Sequence, residues 1–125
     1  MSTLRKIDCI EFYVSNLEEA EAFYSSVLGL RKVWTDNAHG MIGFVCKEND
    51  SEIVIHTDST RTKPSFCFSV EDVEKFCDEY QKLGYKIVKA PFDVRCGKYA
   101  ILGDPFGNML PIIDLTKFGN KPRYD

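Results

Sequence analysis

The chain has 125 residues, of which 44% are hydrophobic and 28% charged, and its 16 Lys and Arg against 19 Asp and Glu give a formal charge of −3. This composition is typical of a globular domain and excludes a disordered or fibrous chain. The acidic balance and the absence of a Lys/Arg run argue against nucleic acid or an anionic membrane as a partner. We therefore expect a small-molecule ligand that is neutral or cationic.

No stretch approaches the ~18 continuous apolar residues of a membrane span, and no signal-peptide core precedes the first predicted strand. We expect no membrane association and a cytoplasmic protein. The five cysteines are odd in number and never spaced as CxxC, which predicts reduced core thiols rather than a disulfide or zinc framework.

The first predicted elements are a strand and a helix. Apolar and mixed residues alternate along the strand: Ile10, Phe12 and Val14 against Cys9, Glu11 and Tyr13. A helix follows from Asn16, an N-cap residue with Glu19 three positions later, to Gly29, which suits a left-handed C-cap. Its apolar residues recur with helical spacing: Leu17, Ala20, Phe23, Tyr24, Val27 and Leu28. Three shorter strands follow at about 31–36, 40–47 and 52–58.

The second half repeats this order. Its strand alternates Phe66, Phe68 and Val70 with Ser65, Cys67 and Ser69. Its helix begins after Asp72, ends near Gly84 and has a regular apolar face: Val73, Phe76, Cys77, Tyr80 and Leu83. Three strands are predicted at about 85–89, 97–103 and 108–114.

The two halves are therefore an internal repeat at an offset of about 56 residues. They define two tandem βαβββ modules, at about 6–58 and 63–115, followed by a C-terminal tail at 116–125. A module of this size buries too little surface to be stable alone. We expect one domain (1–125) of α+β class, in which the modules form a curved mixed β-sheet that encloses a cleft, with the helices outside.

Strand alternation assigns a set of side chains to that cleft. They are Cys9, Glu11, Tyr13, Ser65, Cys67 and Ser69, with Glu52, Val54, His56, Met109, Pro111 and Ile113 on the closing strands. Glu11 is the one acid in the middle of a predicted strand, where Glu is disfavoured. It suits a general base or an anchor for a cationic ligand. Alternatively it reaches Tyr13, Tyr99 or a backbone amide and only orders the sheet.

Aromatic residues are the other candidate ligand contacts. Trp34, the only tryptophan, lies on a predicted edge strand, where it stacks on a flat ligand or serves as a core or dimer contact. Further candidate aromatic walls are Tyr13, Tyr99, Phe92 and Phe106.

Two segments resemble a known family. The first is the opening strand and helix, residues 7–17 with Phe23-Tyr24 and Val27-Leu28-Gly29-Leu30. The second is the turn Asp104-Pro105-Phe106-Gly107-Asn108 before the last strand. The two segments occur in this order around an internal duplication. With them, the chain resembles the vicinal oxygen chelate superfamily over about residues 6–115. This superfamily is also called the glyoxalase, bleomycin-resistance and extradiol-dioxygenase family.

The resemblance implies a metal triad of two histidines and a glutamate, at positions that here hold Cys9, Ser65 and Pro111, with Val54 at the symmetric fourth position. Pro and Val have no ligand atom, and a Ser hydroxyl is a poor ligand. We therefore expect no metal and no cofactor at the family positions. A nonstandard metal site built from Cys9, Glu11, Cys67 and His56 remains an alternative. Cys9 as a nucleophile is disfavoured because the charge of Glu11 opposes thiolate formation.

Two functions follow as hypotheses. The first is a non-catalytic protein that sequesters an aromatic or cationic compound, as bleomycin-resistance members of the family do. The second is a lyase, isomerase or dioxygenase that uses nonstandard metal ligands or metal-free acid/base chemistry through Glu11. Whether the chain is an enzyme stays open at this point. The resemblance also implies a homodimer.

Overall fold

The structure, a computed structural model, describes residues 2–119, so part of the predicted tail lies outside the described residues. Two compact units make up this part of the chain: residues 9–66, and residues 2–8 together with 67–119. The elements in chain order are β1 (Lys6–Tyr13), α1 (Leu17–Ala22), a π-helical turn (Phe23–Val27), β2 (Arg31–Asp36), β3 (Met41–Val45), β4 (Glu52–His56), β5 (Ser65–Ser69), α2 (Val73–Lys82), β6 (Ile87–Val94), β7 (Gly97–Gly103), β8 (Met109–Ile113) and a 3₁₀ turn (Thr116–Phe118).

The order strand, helix and three strands occurs twice, with parallel and antiparallel strand pairs. The predicted α+β class with tandem βαβββ modules is therefore confirmed. The main difference in bounds is β6, predicted at 85–89, which runs on to Val94 through Pro91. This is possible because β6 is an edge strand, where proline is tolerated.

In the unit of residues 9–66 the strand order is β2-β3-β4-β1, with β1 parallel to β4. Helix α1 packs on β3 and β4 over a core of Ile42, Phe44 and Ile55. As predicted, Asn16 caps this helix, and its side-chain oxygen accepts the Glu19 N–H at 2.9 Å. The predicted covered face of β1 is only partly right, because Val14 packs on the core whereas Ile10 is exposed.

In the second half of the predicted apolar stripe of the first helix, Tyr24 packs on the core but the other three residues do not. Phe23, Val27 and Leu28 are 48%, 68% and 53% exposed. After Ala22 the chain widens into a π-helical turn, in which the Leu28 N–H donates to the Phe23 carbonyl five residues earlier. The 3.6-residue period of the prediction fails there, since a π turn holds more residues than an α turn.

In the other unit the start of β1 lies beside β5, followed by β8, β7 and β6. The buried side chains of α2 are Val73, Phe76 and Cys77, as predicted, whereas Leu83 is exposed. Asp72 caps α2 by accepting the Lys75 N–H at 3.0 Å. The other core residues are Val70, Ala100, Leu102 and Ile112.

A buried carboxylate joins three parts of this unit. Asp114 accepts hydrogen bonds from the backbone N–H of Val73 (2.7 Å), Lys98 (3.0 Å) and Thr116 (3.2 Å), and from the Thr116 hydroxyl (2.8 Å). A Cβ at Gly97 would overlap this carboxylate, which explains the glycine. Asp114 thereby fixes the start of α2, the start of β7 and the 3₁₀ turn.

All five cysteines are free thiols, as the sequence predicts, and four of them are buried: Cys9, Cys67, Cys77 and Cys96. Burial raises the pKa of Cys77, so its thiol stays protonated. These residues act as small apolar side chains of the interior.

Candidate functional site

The candidate site lies in the unit of residues 9–66, where the parallel strands β1 and β4 end. The strand register places Glu11 opposite Val54 and Tyr13 opposite His56. The chain leaves β4 at His56 and turns at 58–61, which brings Asp58 and Arg61 to the same end of the sheet. We call Glu11, Tyr13, His56, Asp58 and Arg61 the Glu11 cluster.

Glu11 forms an ion pair with Arg61. The Arg61 Nη1 donates to Glu11 Oε1 at 3.2 Å, and the Arg61 Nε donates to Asp58 Oδ2 at 3.2 Å. The Glu11 side chain is 16% exposed and the Arg61 side chain 44%. The guanidinium is thus held by two carboxylates, one of which is mostly withdrawn from solvent.

Asp58 builds the turn that presents Arg61. Its Oδ1 accepts the Thr60 hydroxyl at 2.6 Å and the Thr60 N–H at 3.0 Å, and its carbonyl accepts the Arg61 N–H at 3.0 Å. The hydrogen bonds from Thr60, and then that from Arg61, lower the pKa of Asp58 to about 2. Asp58 is therefore a carboxylate at neutral pH, as the short turn requires.

His56 is a buried, neutral imidazole. Its ring is 1% exposed, lies 6.0 Å from the Tyr13 ring between centroids, and accepts the Asp58 N–H on Nδ1 at 3.1 Å. Burial lowers the pKa of His56, and the positive charge of Arg61 lowers it further. An Nδ1 that accepts a hydrogen bond in a neutral ring places the proton on Nε2.

Four polar atoms of the Glu11 cluster make no hydrogen bond to any residue in 2–119: Glu11 Oε2, the Tyr13 hydroxyl, His56 Nε2 and Arg61 Nη2. The cluster holds two carboxylates and one guanidinium beside a neutral histidine, so its formal charge is −1. Such an arrangement favours a cationic or hydrogen-bonding ligand over an anion.

Trp34 is committed to a structural contact in the same unit. Its Nε1 donates to Glu52 Oε1 at 2.7 Å, and its indole lies against Gly43, the residue opposite it on β3. Glu52 is only 4% exposed. Trp34 is half-buried, and its roles as a ligand contact or a dimer contact stay predictions.

Of the other predicted site residues, Cys9 and Ser65 lie in the same unit as the Glu11 cluster, whereas the other unit holds Cys67, Tyr99, Phe106, Met109 and Pro111. Cys9 is buried and Ser65 half-buried at the start of β5. In the other unit the Cys67 thiol donates a weak hydrogen bond to the buried Asp8 at 3.8 Å. The centroid of the Tyr99 ring lies 5.5 Å from that of Phe92. Pro111 is half-buried, whereas Met109 and Phe106 are exposed.

At the positions that the resemblance implies for the family metal, three of the four residues are poor ligands or none. Val54 is buried and apolar, Pro111 has no ligand atom, and Ser65 offers only a hydroxyl. Among residues 2–119, Glu11 and His56 belong to no group of three neighbouring ligand atoms, so the alternative set of Cys9, Glu11, Cys67 and His56 stays a prediction.

Sequence reasoning missed Arg61 and Asp58. Arg61 lies fifty residues after Glu11 in the chain. The sequence suggested Tyr13, Tyr99 or a backbone amide as the partner of Glu11, but the observed partner is Arg61. The available signal was local: Asp58 followed by Thr60 is typical of an Asx turn, which would have placed a cation just beyond β4.

A cavity of about 330 Å³ also lies in this unit, but outside the Glu11 cluster. It is bordered by Gly29, Arg31, Val45, Cys46, Lys47, Asn49 and Asp50. No residue of the Glu11 cluster borders this cavity.

Solved structures share this fold. Methylmalonyl-CoA epimerase from Mycobacterium tuberculosis matches with a TM-score of 0.64 at 15% identity, over 90% of this chain and 89% of that one. A glyoxalase/bleomycin resistance protein/dioxygenase superfamily member from Vibrio splendidus 12B01 matches with a TM-score of 0.58 at 14% identity, over 88% and 97%. The Mn(II)-bound glyoxalase from Novosphingobium aromaticivorans matches with a TM-score of 0.60 at 16% identity, over 90% of this chain but 39% of that one.

The family model of the Glyoxalase/Bleomycin resistance protein/Dioxygenase superfamily matches residues 6–112. The chain belongs to this superfamily, and the resemblance seen in its sequence is confirmed. No helix among residues 2–119 is long and apolar enough to cross a membrane.

Proposed function

We propose that this chain is a non-catalytic, small-molecule-binding member of the superfamily, whose ligand combines an aromatic part with a cationic group that pairs with Glu11. The observation that carries the proposal is the Glu11 carboxylate: its side chain is 16% exposed, one oxygen already binds a guanidinium, and the other has no partner in 2–119.

Two further features support this function. The positions that the resemblance implies for the family metal hold Cys9, Ser65, Pro111 and Val54, which lack the two histidines and the glutamate of the implied triad. The Tyr13 ring lies two residues from Glu11 on the same side of β1 and offers an aromatic surface beside the carboxylate.

Calorimetry and tryptophan quenching against a panel of cationic glycopeptide-like and quinone-like compounds test the proposal. We expect at least one cationic aromatic compound to bind more tightly than about 1 mM, which corresponds to about −4 kcal/mol. Glu11→Gln should abolish this binding. Glu21→Gln is the matched control, because it also removes a glutamate paired with a cation, Lys32, at 2.8 Å in the same unit.

The proposal fails if no panel member binds more tightly than millimolar, or if Glu11→Gln and Glu21→Gln behave alike. Equal behaviour would mean that any binding reflects overall charge rather than the Glu11 carboxylate.

A second candidate is metal-free acid/base chemistry through Glu11. The specific observation in its favour is a neutral, buried His56 close enough to Glu11 and Arg61 for both charges to act on its pKa. Such a pair provides one group that accepts a proton and one that donates it. Metal analysis of protein purified without chelator distinguishes a metal-free enzyme from a metalloenzyme. A stoichiometric metal that is lost in Cys9→Ala or His56→Ala would overturn both the binding function and the metal-free acid/base chemistry.

A further inference from the structure

We propose that Arg61 is a built-in occupant of a guanidinium-binding site on Glu11, and that a ligand carrying a guanidinium or amidinium group binds by displacing it. This inference rests on the function proposed above and names the ligand class. The inference predicts that Arg61 weakens the binding of such a ligand, although Arg61 is itself a member of the Glu11 cluster.

The geometry of the Glu11–Arg61 pair allows a ligand to bind Glu11 through more hydrogen bonds than Arg61 does. Arg61 binds Glu11 through one nitrogen and one oxygen, Nη1 to Oε1 at 3.2 Å, while Oε2 has no partner among residues 2–119. A planar guanidinium or amidinium can donate to both oxygens of a carboxylate at once, and such bidentate pairs are stronger than single ones. The ligand would thus form two charge-assisted bonds where Arg61 forms one.

Arg61 can leave Glu11 at a limited cost. The Arg61 side chain is 44% exposed, so its guanidinium is solvated once it is displaced, and we expect loss of the pair to weaken ligand binding by about fivefold or less. The displaced guanidinium keeps its second partner, because Nε still donates to Asp58 Oδ2 at 3.2 Å. Asp58 itself is fixed by Thr60 and does not depend on Glu11.

The surroundings of Glu11 indicate a binding site rather than an exposed acidic patch. His56 is 1% exposed, yet its Nε2 has no hydrogen bond within the described chain. The Tyr13 hydroxyl is likewise without a partner in residues 2–119. Both groups can therefore form a hydrogen bond with a bound ligand.

The test measures the affinity of benzamidine, an aromatic amidinium, by calorimetry for the wild-type chain, Arg61→Gln, Glu11→Gln and the double variant. We expect Arg61→Gln to bind about two- to fivefold more tightly than wild type. Glu11→Gln should lose binding, and the double variant should show no gain. Lys32→Gln is the matched control, since it removes the same charge from a surface pair with Glu21 in the same unit.

A second measurement follows the wild-type protein directly. The NMR signal of the Arg61 side-chain Nε–H should shift as benzamidine is added until the protein is saturated, whereas the signal of the Arg31 Nε–H should not. If Arg61→Gln binds benzamidine equally or more weakly while Glu11→Gln still abolishes binding, the displacement inference is wrong and the proposed function stands. If Glu11→Gln leaves benzamidine binding unchanged, both are wrong. If benzamidine binds to no variant while a compound of the panel binds in a Glu11-dependent way, only the displacement inference is wrong.

Discussion

Gly43→Ala should destabilise the protein because the substitution removes the space that the indole of Trp34 occupies. A Cβ at residue 43 would overlap Trp34 Cε2 and Nε1 and lie 2.7 Å from Cζ2. The indole is rigid, so it must move away from β3. Its Nε1 then loses the 2.7 Å hydrogen bond to Glu52, a carboxylate that is 4% exposed.

The expected magnitude combines two effects. Inserting a methyl group into a packed contact costs about 1–3 kcal/mol. Loss of a hydrogen bond to a charged group costs about 1.5–3 kcal/mol. Together they lower the free energy of unfolding by about 3–5 kcal/mol, which for a domain of this size lowers Tm by about 10–20 °C.

Urea and thermal denaturation followed by circular dichroism measure this loss, and the emission of the single tryptophan reports whether the indole has moved. Gly103→Ala is the matched control. The nearest atom to its Cβ is Val88 Cγ2 at 3.1 Å, on an exposed side chain of an edge strand that can shift outward, so this substitution should cost less than about 1 kcal/mol. In a Trp34→Ala background, Gly43→Ala should cost little. The reasoning is refuted if Gly43→Ala leaves both Tm and the emission spectrum unchanged.

Three further predictions concern other contacts. Asp114→Ala should lower the free energy of unfolding by about 3–5 kcal/mol in urea denaturation, since it removes the acceptor of four hydrogen bonds. Asp72→Ala should cost about 1 kcal/mol in the same assay through loss of the α2 N-cap. Because the pKa of His56 is lowered in the folded state, the unfolded chain binds more protons below about pH 6.5, and stability should fall as the pH falls from about 7 to 5.

Each of these has a control. Asp114→Asn keeps an acceptor oxygen and should cost less than Asp114→Ala; an equal cost would contradict the hydrogen-bonding account. Asp72→Ser should retain most of the cap energy, and a full loss would point to another cause. His56→Gln should flatten the pH dependence of stability, whereas the exposed His39→Gln should not; the opposite pattern would exclude His56 as its source.

Helix ends were the most predictable part of the fold. The caps Asn16 and Asp72 and the left-handed glycines Gly29 and Gly84 occur where the sequence places them, because each rests on a local hydrogen bond or on a φ that glycine adopts freely. These signals span only a few residues, so the sequence contains them completely.

The site was less predictable because its contacts are long-range. Glu11 was identified as the unusual acid of the strand, but its partner Arg61 is brought to it by the β1–β4 pairing and the Asp58 turn. The exposure of Phe23, Val27 and Leu28 on the first helix was missed for a different reason. The chain forms a π turn after Ala22, and a pattern based on the 3.6-residue period cannot show it.

The Asp114 carboxylate has a consequence for how its unit opens. The amide protons of Val73, Lys98 and Thr116 come from three separate segments but share one acceptor side chain. Release of that side chain exposes all three to solvent together, so their hydrogen exchange should follow a single opening free energy rather than three local ones. One residue near the end of the last strand thereby couples the motions of segments that are distant in the chain.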